Sequence, residues 1–265
     1  MAKQRGTHQI AGKINNLVYY EQKYIKGGLI RRQNEAMSTR LKEDIVFAGT
    51  RKANSLFGAC MMMSGAILSV LGYRRNIIVN PSVNGLLTAS VLRMYQEANA
   101  YDKNAPVNLH DFMPASFLES TDVLMKNRLT RFLYGVNRIY NNVTPGSDFD
   151  IDIEARVLQE LCNLSGCDRV AVSVLPCTTI SPIHRELVSG KFIAPTITSS
   201  RRTVQAVWGV GDGDLQISQT TLDSSEPLQL SAIVFSPIYY TQNRVDYYKT
   251  EYISAGYLWL NMSNV

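Results

Sequence analysis

From Asp148 to the C-terminus the chain is a succession of short runs rich in Val, Ile, Thr and Tyr divided by turn residues, and this restricts its second half to a β architecture. In Asp148-Phe149-Asp150-Ile151-Asp152-Ile153-Glu154 acidic and apolar residues alternate, so an extended backbone places carboxylates on one face and apolar side chains on the other. The runs RVAVSVL, KFIAPTIT, TVQAVWGV, LQISQTT, LQLSAIVFSPIYY and YISAGYLWLNM continue in kind. ARVLQELCNLSG interrupts them with a short helical pattern. Six or more strands spaced in this way predict an antiparallel β-sandwich-like domain over 148–265. Within it, the glycine- and aspartate-rich stretch Gly209–Asp214 reads as a β-hairpin turn, because a phosphate loop needs a trailing Lys-Ser/Thr and a following helix.

Residues 44–142 carry a different period. Ala53, Leu56, Phe57, Cys60, Met63, Ser64, Ile67, Leu68 and Leu71 recur at three- and four-residue steps, with Gly72 as the stop. Ala53 to Tyr73 holds no charge over about twenty residues, the length that spans a bilayer. Asn54, Ser55, Gly58, Ser64, Gly65 and Ser69 dilute its apolarity, however, and basic residues flank both ends (Arg51, Lys52, Arg74 and Arg75). A helix buried on all sides, as between subunits, is the expectation. A second helix starts with Asn80 as cap and Pro81 in its first turn, and ends near Ala100. A third helical or mixed region places Leu129, Phe132, Leu133, Val136 and Tyr140 on one face before VTPGSD breaks it.

The first 43 residues read as a basic arm. INNLVYY (14–20) and LIRR (29–32) are β-prone, and Gly27-Gly28 supplies a tight turn between them, which predicts a hairpin. Through residue 52 there are eleven Lys/Arg against four Asp/Glu, a balance of +7, while the rest holds 16 basic and 18 acidic residues, a balance of −2. Such asymmetry points either to an acidic partner or to no more than a solvated basic hairpin. Lys13, Tyr19, Tyr20, Lys23, Tyr24, Arg31, Arg32, Arg40 and Arg51 are the candidate contact residues. Tyr and Arg together suit docking onto a protein surface and equally suit stacking on single-stranded nucleic acid; docking is the preferred reading.

Groups for catalysis are sparse. His8, His110 and His184 are the histidines, and no serine sits in a nucleophile elbow, so no catalytic residue is assigned. Cys60, Cys162, Cys167 and Cys177 are too few and too irregular for a disulfide framework, and they lack the spaced partners of a zinc site. No metal and no cofactor is expected. The acidic strand could hold a hard cation but lacks the glycine and closing Glu of an EF-hand, and it reads better as a solvated edge or a partner for basic arms. No secretory leader is read in the opening residues. Trp208, Tyr239, Tyr240 and Trp259 could form a sugar platform, although such residues more often fill cores and subunit contacts.

The opening, with Gly6, His8, Gly12-Lys13, Val18-Tyr19-Tyr20, Gly28-Leu29-Ile30-Arg31-Arg32, Arg40, Phe47, Thr50-Arg51, Asn54 and Phe57-Gly58, resembles an uncharacterised family from Bacteroidota genomes and their phages. Leu56 stands where that family commonly has an acid. The run IVFSPIYYTQNRVDYYKTEYISAGYLWL is similar to the family's final strands, so the resemblance covers about the first 60 and the last 30 residues with a divergent middle. It brings no catalytic residues and implies a virion or tail-like structural role.

The expectation is therefore an α+β protein with an N-terminal β-hairpin arm (1–43), a helical region (44–142) and a β-sandwich-like domain (148–265). Its expected function is non-enzymatic self-assembly, or docking onto other structural proteins of one particle, after synthesis in a bacterial cytoplasm. A nucleic-acid-binding module and a carbohydrate-binding sandwich are the alternatives, and no membrane partner is expected.

Overall fold

The computed structural model of the chain describes residues 2–3, 12–14, 17–22, 25–32, 35–72, 75–79, 83–98, 109–123, 125, 136–184, 192–240 and 246–263. The chain divides into two compact units, Met1–Ser55 and Leu56–Val265. In the first, β1 (Ala2–Lys3), β2 (Gly12–Ile14), β3 (Leu17–Gln22) and β4 (Ile25–Arg32) form an antiparallel sheet in the order β1-β4-β3-β2. Helix α1 (Glu35–Glu43), a 3-10 turn (Ile45–Phe47) and the start of α2 (Ala48–Ser69) follow. The expected helix start at Asp44 is instead the break between two helices. Asp44 is extended at φ −68° and ψ 129°, and its side chain accepts from the Val46 N–H at 3.0 Å, capping the 3-10 turn.

The second unit continues through α2 and adds α3 (Arg75–Ile78), α4 (Val83–Ala98), α5 (Pro114–Asp122), β5 (Ile139–Val143), β6 (Asp148–Ile153) and α6 (Ala155–Ser165). It closes with β7 (Arg169–Val174), β8 (Thr178–Ile180), β9 (Ile197–Ser199), β10 (Val204–Gly209), β11 (Leu215–Thr220), β12 (Leu228–Tyr240), β13 (Asp246–Tyr248) and β14 (Ser254–Met262). Gly72, at φ 55°, takes the left-handed conformation just past α2, where a glycine costs least. Asn80 and Pro81, Ala100, and the expected helical positions Leu129, Phe132 and Leu133 lie outside the described residues. Tyr140, expected on a helix, lies on β5.

The main sheet runs β10-β7-β12-β14-β5, with β13 and β8 also on β12 and β9 on β8. Its described pairs are antiparallel except β14 with β5, which are parallel. Pro237, which has no N–H to donate, stands where β12 leaves β14 and takes up β13. Strands β12 and β14 carry apolar side chains on both faces because both faces are covered. Leu230, Ala232, Val234, Ala255, Tyr257 and Trp259 join α2, α4 and α5 in one core. Ile233, Phe235, Leu258 and Leu260 point the other way, into a core shared with α6 and the separate β6–β11 ribbon. The fold is thus α+β, with helices on one face of the sheet and a ribbon plus helix on the other. The helical stretch expected as a region of its own shares its core with the sheet, since Phe117 of α5 packs on Trp259 and Tyr257 at ring distances of 5.1 and 6.0 Å.

Candidate assembly surface

The first unit holds all nine candidate contact residues. Lys13, Val18 and Arg31 stand opposite one another across β2, β3 and β4, so two of the basic candidates share one row. Arg32 pairs with Leu17, Tyr20 with Leu29, and Tyr19, half-buried, with Ile30. The turn does not fall at Gly27-Gly28. The β3–β4 register reaches Gln22 opposite Ile25, leaving Lys23 and Tyr24 as the connection, and these two lie outside the described residues. Gly27 and Gly28 are inside β4, where the register shifts between Tyr20 and Gln22; a bulge asks for the same small residues as a turn.

Arg40 and Arg51 are committed to their own chain. The Arg40 guanidinium donates to Asp44 Oδ2 at 3.3 and 3.4 Å, and its Cζ lies 5.8 Å from the Phe47 ring centroid. Arg51 donates from one nitrogen to the carbonyl oxygens of Leu41 (3.2 Å), one of the orphan carbonyls in the last turn of α1, and of Asp44 (2.7 Å), which also accepts from the Phe47 N–H. Both arginines therefore fix the bend from α1 into α2. Sequence reasoning missed the tip of that bend. Ile45 and Val46 are 83% and 76% exposed, an apolar knob. The signal was present as two branched apolar residues straight after a capping aspartate, but the helical period absorbed them.

The second unit presents the acidic face that the alternation predicted. Asp148, Asp150 and Asp152 are exposed while Phe149, Ile151 and Ile153 are buried. The register sets them opposite Thr220, Ser218 and Gln216 of β11. Thr220 donates its hydroxyl to Asp148 at 2.6 Å, and Glu154 pairs with Arg156. Among the described residues no three His, Cys, Asp or Glu side chains converge well enough to hold a metal ion.

The other candidate features resolve into structure. Gly209–Asp214 is a tight turn, with Gly211 at φ 99° and Asp212 accepting the Gly209 N–H at 2.8 Å, but it is not a hairpin. It carries the chain from β10, paired with β7, to β11, paired with β6 in the other sheet. The sugar platform is absent as such, because Trp208 and Trp259 are 2% and 0% exposed core residues. Trp208 donates its indole N–H to Gly213 O, and Tyr239 donates its hydroxyl to Ser165 O. Tyr240 is exposed, with Arg169 5.7 Å from its ring centroid. His110 and His184 are both exposed; His8 lies outside the described residues.

No known protein family model, curated protein or solved structure matches this chain.

Proposed function

We propose that this chain is a non-enzymatic structural protein that assembles, through its N-terminal unit, into a larger particle of the phage virion or tail type. The observation that carries this reading is the coincidence of two boundaries. The first compact unit ends at Ser55, and the excess of positive charge ends at Lys52, so a +7 unit is joined to a remainder of −2. A charge imbalance divided along a structural boundary gives one unit a sign that the other, or its copy, complements. The exposed Ile45 and Val46 add apolar area of the kind that interfaces bury. The resemblance of about the first 60 and the last 30 residues to the phage-associated family supports the particle context. A contact of the N-terminal unit with a different surface of the next copy gives a ring or a filament, according to whether its rotation closes.

The full chain is therefore expected to form species above monomer mass in light scattering at low salt. Lys13→Glu with Arg31→Glu is expected to shift the population toward monomer. Association that ignores both salt and charge reversal would contradict the reading. Single-stranded nucleic acid competes for the same row of basic residues. Oligonucleotide binding that falls steeply with salt, with the protein monomeric throughout, would put that partner in place of self-assembly.

A further inference from the structure

The C-terminal end of α6 brings two thiols together. Cys162 lies on the buried face of the helix, and Cys167 follows Gly166, whose left-handed φ of 67° reverses the chain. The N–H groups of Gly166 and Cys167 both donate to Cys162 O, at 2.8 and 3.1 Å. This ending sets the first residue beyond the turn over the last turn of the helix, where an apolar contact usually forms. Here the contact is sulfur on sulfur, with Cys167 Sγ 3.7 Å from Cys162 Sγ. Ser165 Oγ lies 3.2 Å from Cys167 Sγ, and Tyr239 anchors the turn to the sheet through its 2.6 Å bond to Ser165 O. Cys60, Cys162 and Cys177 are 0%, 1% and 0% exposed, whereas Cys167 reaches solvent.

We propose that Cys162 and Cys167 are a reversible dithiol–disulfide site, closed by exchange with a small disulfide of the glutathione class. A disulfide needs Cα atoms within about 7 Å, and a backbone hydrogen bond between the same two residues provides that; only side-chain torsions have to change. The Cys167 thiolate attacks one sulfur of the oxidised reagent, that S–S bond breaks, and one glutathione leaves as thiolate with the electron pair. Cys162 gives up its proton, and its thiolate attacks Cys167 Sγ of the mixed disulfide. The second glutathione then leaves as thiolate. Two protein thiols and one small disulfide become one protein disulfide and two small thiols. Burial holds the Cys162 thiol above its ordinary pKa, and the neighbouring Cys167 charge adds to this; the mixed disulfide removes that charge before Cys162 must ionise. The bond ties the end of α6 to the start of β7. Asp168 and Arg169, the next residues, line a surface cleft with Gly209 and Asp212, so closure stiffens one lip of that cleft.

The test uses the full chain and oxidised glutathione, followed by denaturing alkylation with iodoacetamide, trypsin and mass spectrometry. Arg156 and Arg169 bound one tryptic peptide, Val157–Arg169, that contains both cysteines. It is expected to lose two hydrogens, to take no alkyl group, and to recover both thiols with dithiothreitol. Cys162→Ser is expected to stop at glutathione on Cys167. Cys167→Ser, a change at a partly exposed position, is expected to leave Cys162 a free thiol. A wild-type peptide alkylated at both cysteines, carrying a lasting glutathione, or cross-linked to a second chain through Cys167 would overturn the proposal.

Discussion

Tyr257 is 1% exposed, its ring packs edge-on to Phe117, and its hydroxyl donates to Ile67 O at 3.0 Å. One side chain thus ties α2 to the sheet and to α5. Tyr257→Phe leaves the Ile67 carbonyl without that donor in a buried setting and is expected to cost about 1–3 kcal/mol in urea unfolding. Burial also raises the Tyr257 phenol above its ordinary pKa. The unfolded chain then loses its phenol proton first, so this contribution is whole below about pH 10 and is lost as pH rises beyond it. The unfolding midpoint of the wild type should accordingly fall faster above pH 10 than that of Tyr257→Phe. At this scale the sequence was legible in part. Gly72 as a helix stop and the exposed aspartates of β6 follow from rules about neighbouring residues. Trp208 and Trp259 did not, because an aromatic on a strand reads the same whether its face meets solvent or another layer.

Elements were more legible than their partners. Helix α6 follows from its own period, with Val157, Leu158, Leu161, Cys162 and Ser165 buried, and β6 from strict alternation. The Gly209–Asp214 turn was legible as a turn but not as a crossing between sheets, since turn chemistry fixes the chain's reversal and not the strand beside it. Gly27-Gly28 misled for a related reason: a bulge and a turn need the same residue. One link between elements is testable by exchange. Arg138 donates to Asp122 Oδ2 at 2.6 Å and to Tyr257 O at 3.0 Å, joining α5 to β14, and the pair's side chains are 9% and 17% exposed. Arg138→Leu strands the Asp122 carboxylate in a poorly solvated site and is expected to cost about 3–5 kcal/mol. Adding Asp122→Leu should recover most of that loss in denaturant unfolding, since no uncompensated charge is left. Phe117→Ala, which empties the space between α5 and the sheet, is expected to cost about 3–5 kcal/mol in the same assay.

For the whole molecule, the α+β class was legible and the layering was not. The strand-rich second half and helix-rich middle are plain in the sequence, yet nothing local says that the helices cover one face of the strands' own sheet. The long uncharged stretch has a physical reason in that arrangement. Met63, Ile67, Leu68 and Leu71 are buried against the sheet, while Phe57 and Met61 are 45% and 50% exposed, so the helix is covered on one side within this chain. Among the described residues, no helix is long and apolar enough to cross a membrane. If residues of the first unit hold copies together, light scattering must separate the full chain from a truncation lacking residues 1–34. Species above monomer mass are expected for the full chain at low salt, and a folded monomer for the truncation. A full chain that stays monomeric at high concentration, or a truncation that associates as strongly as the full chain, would show that the first unit does not hold copies together.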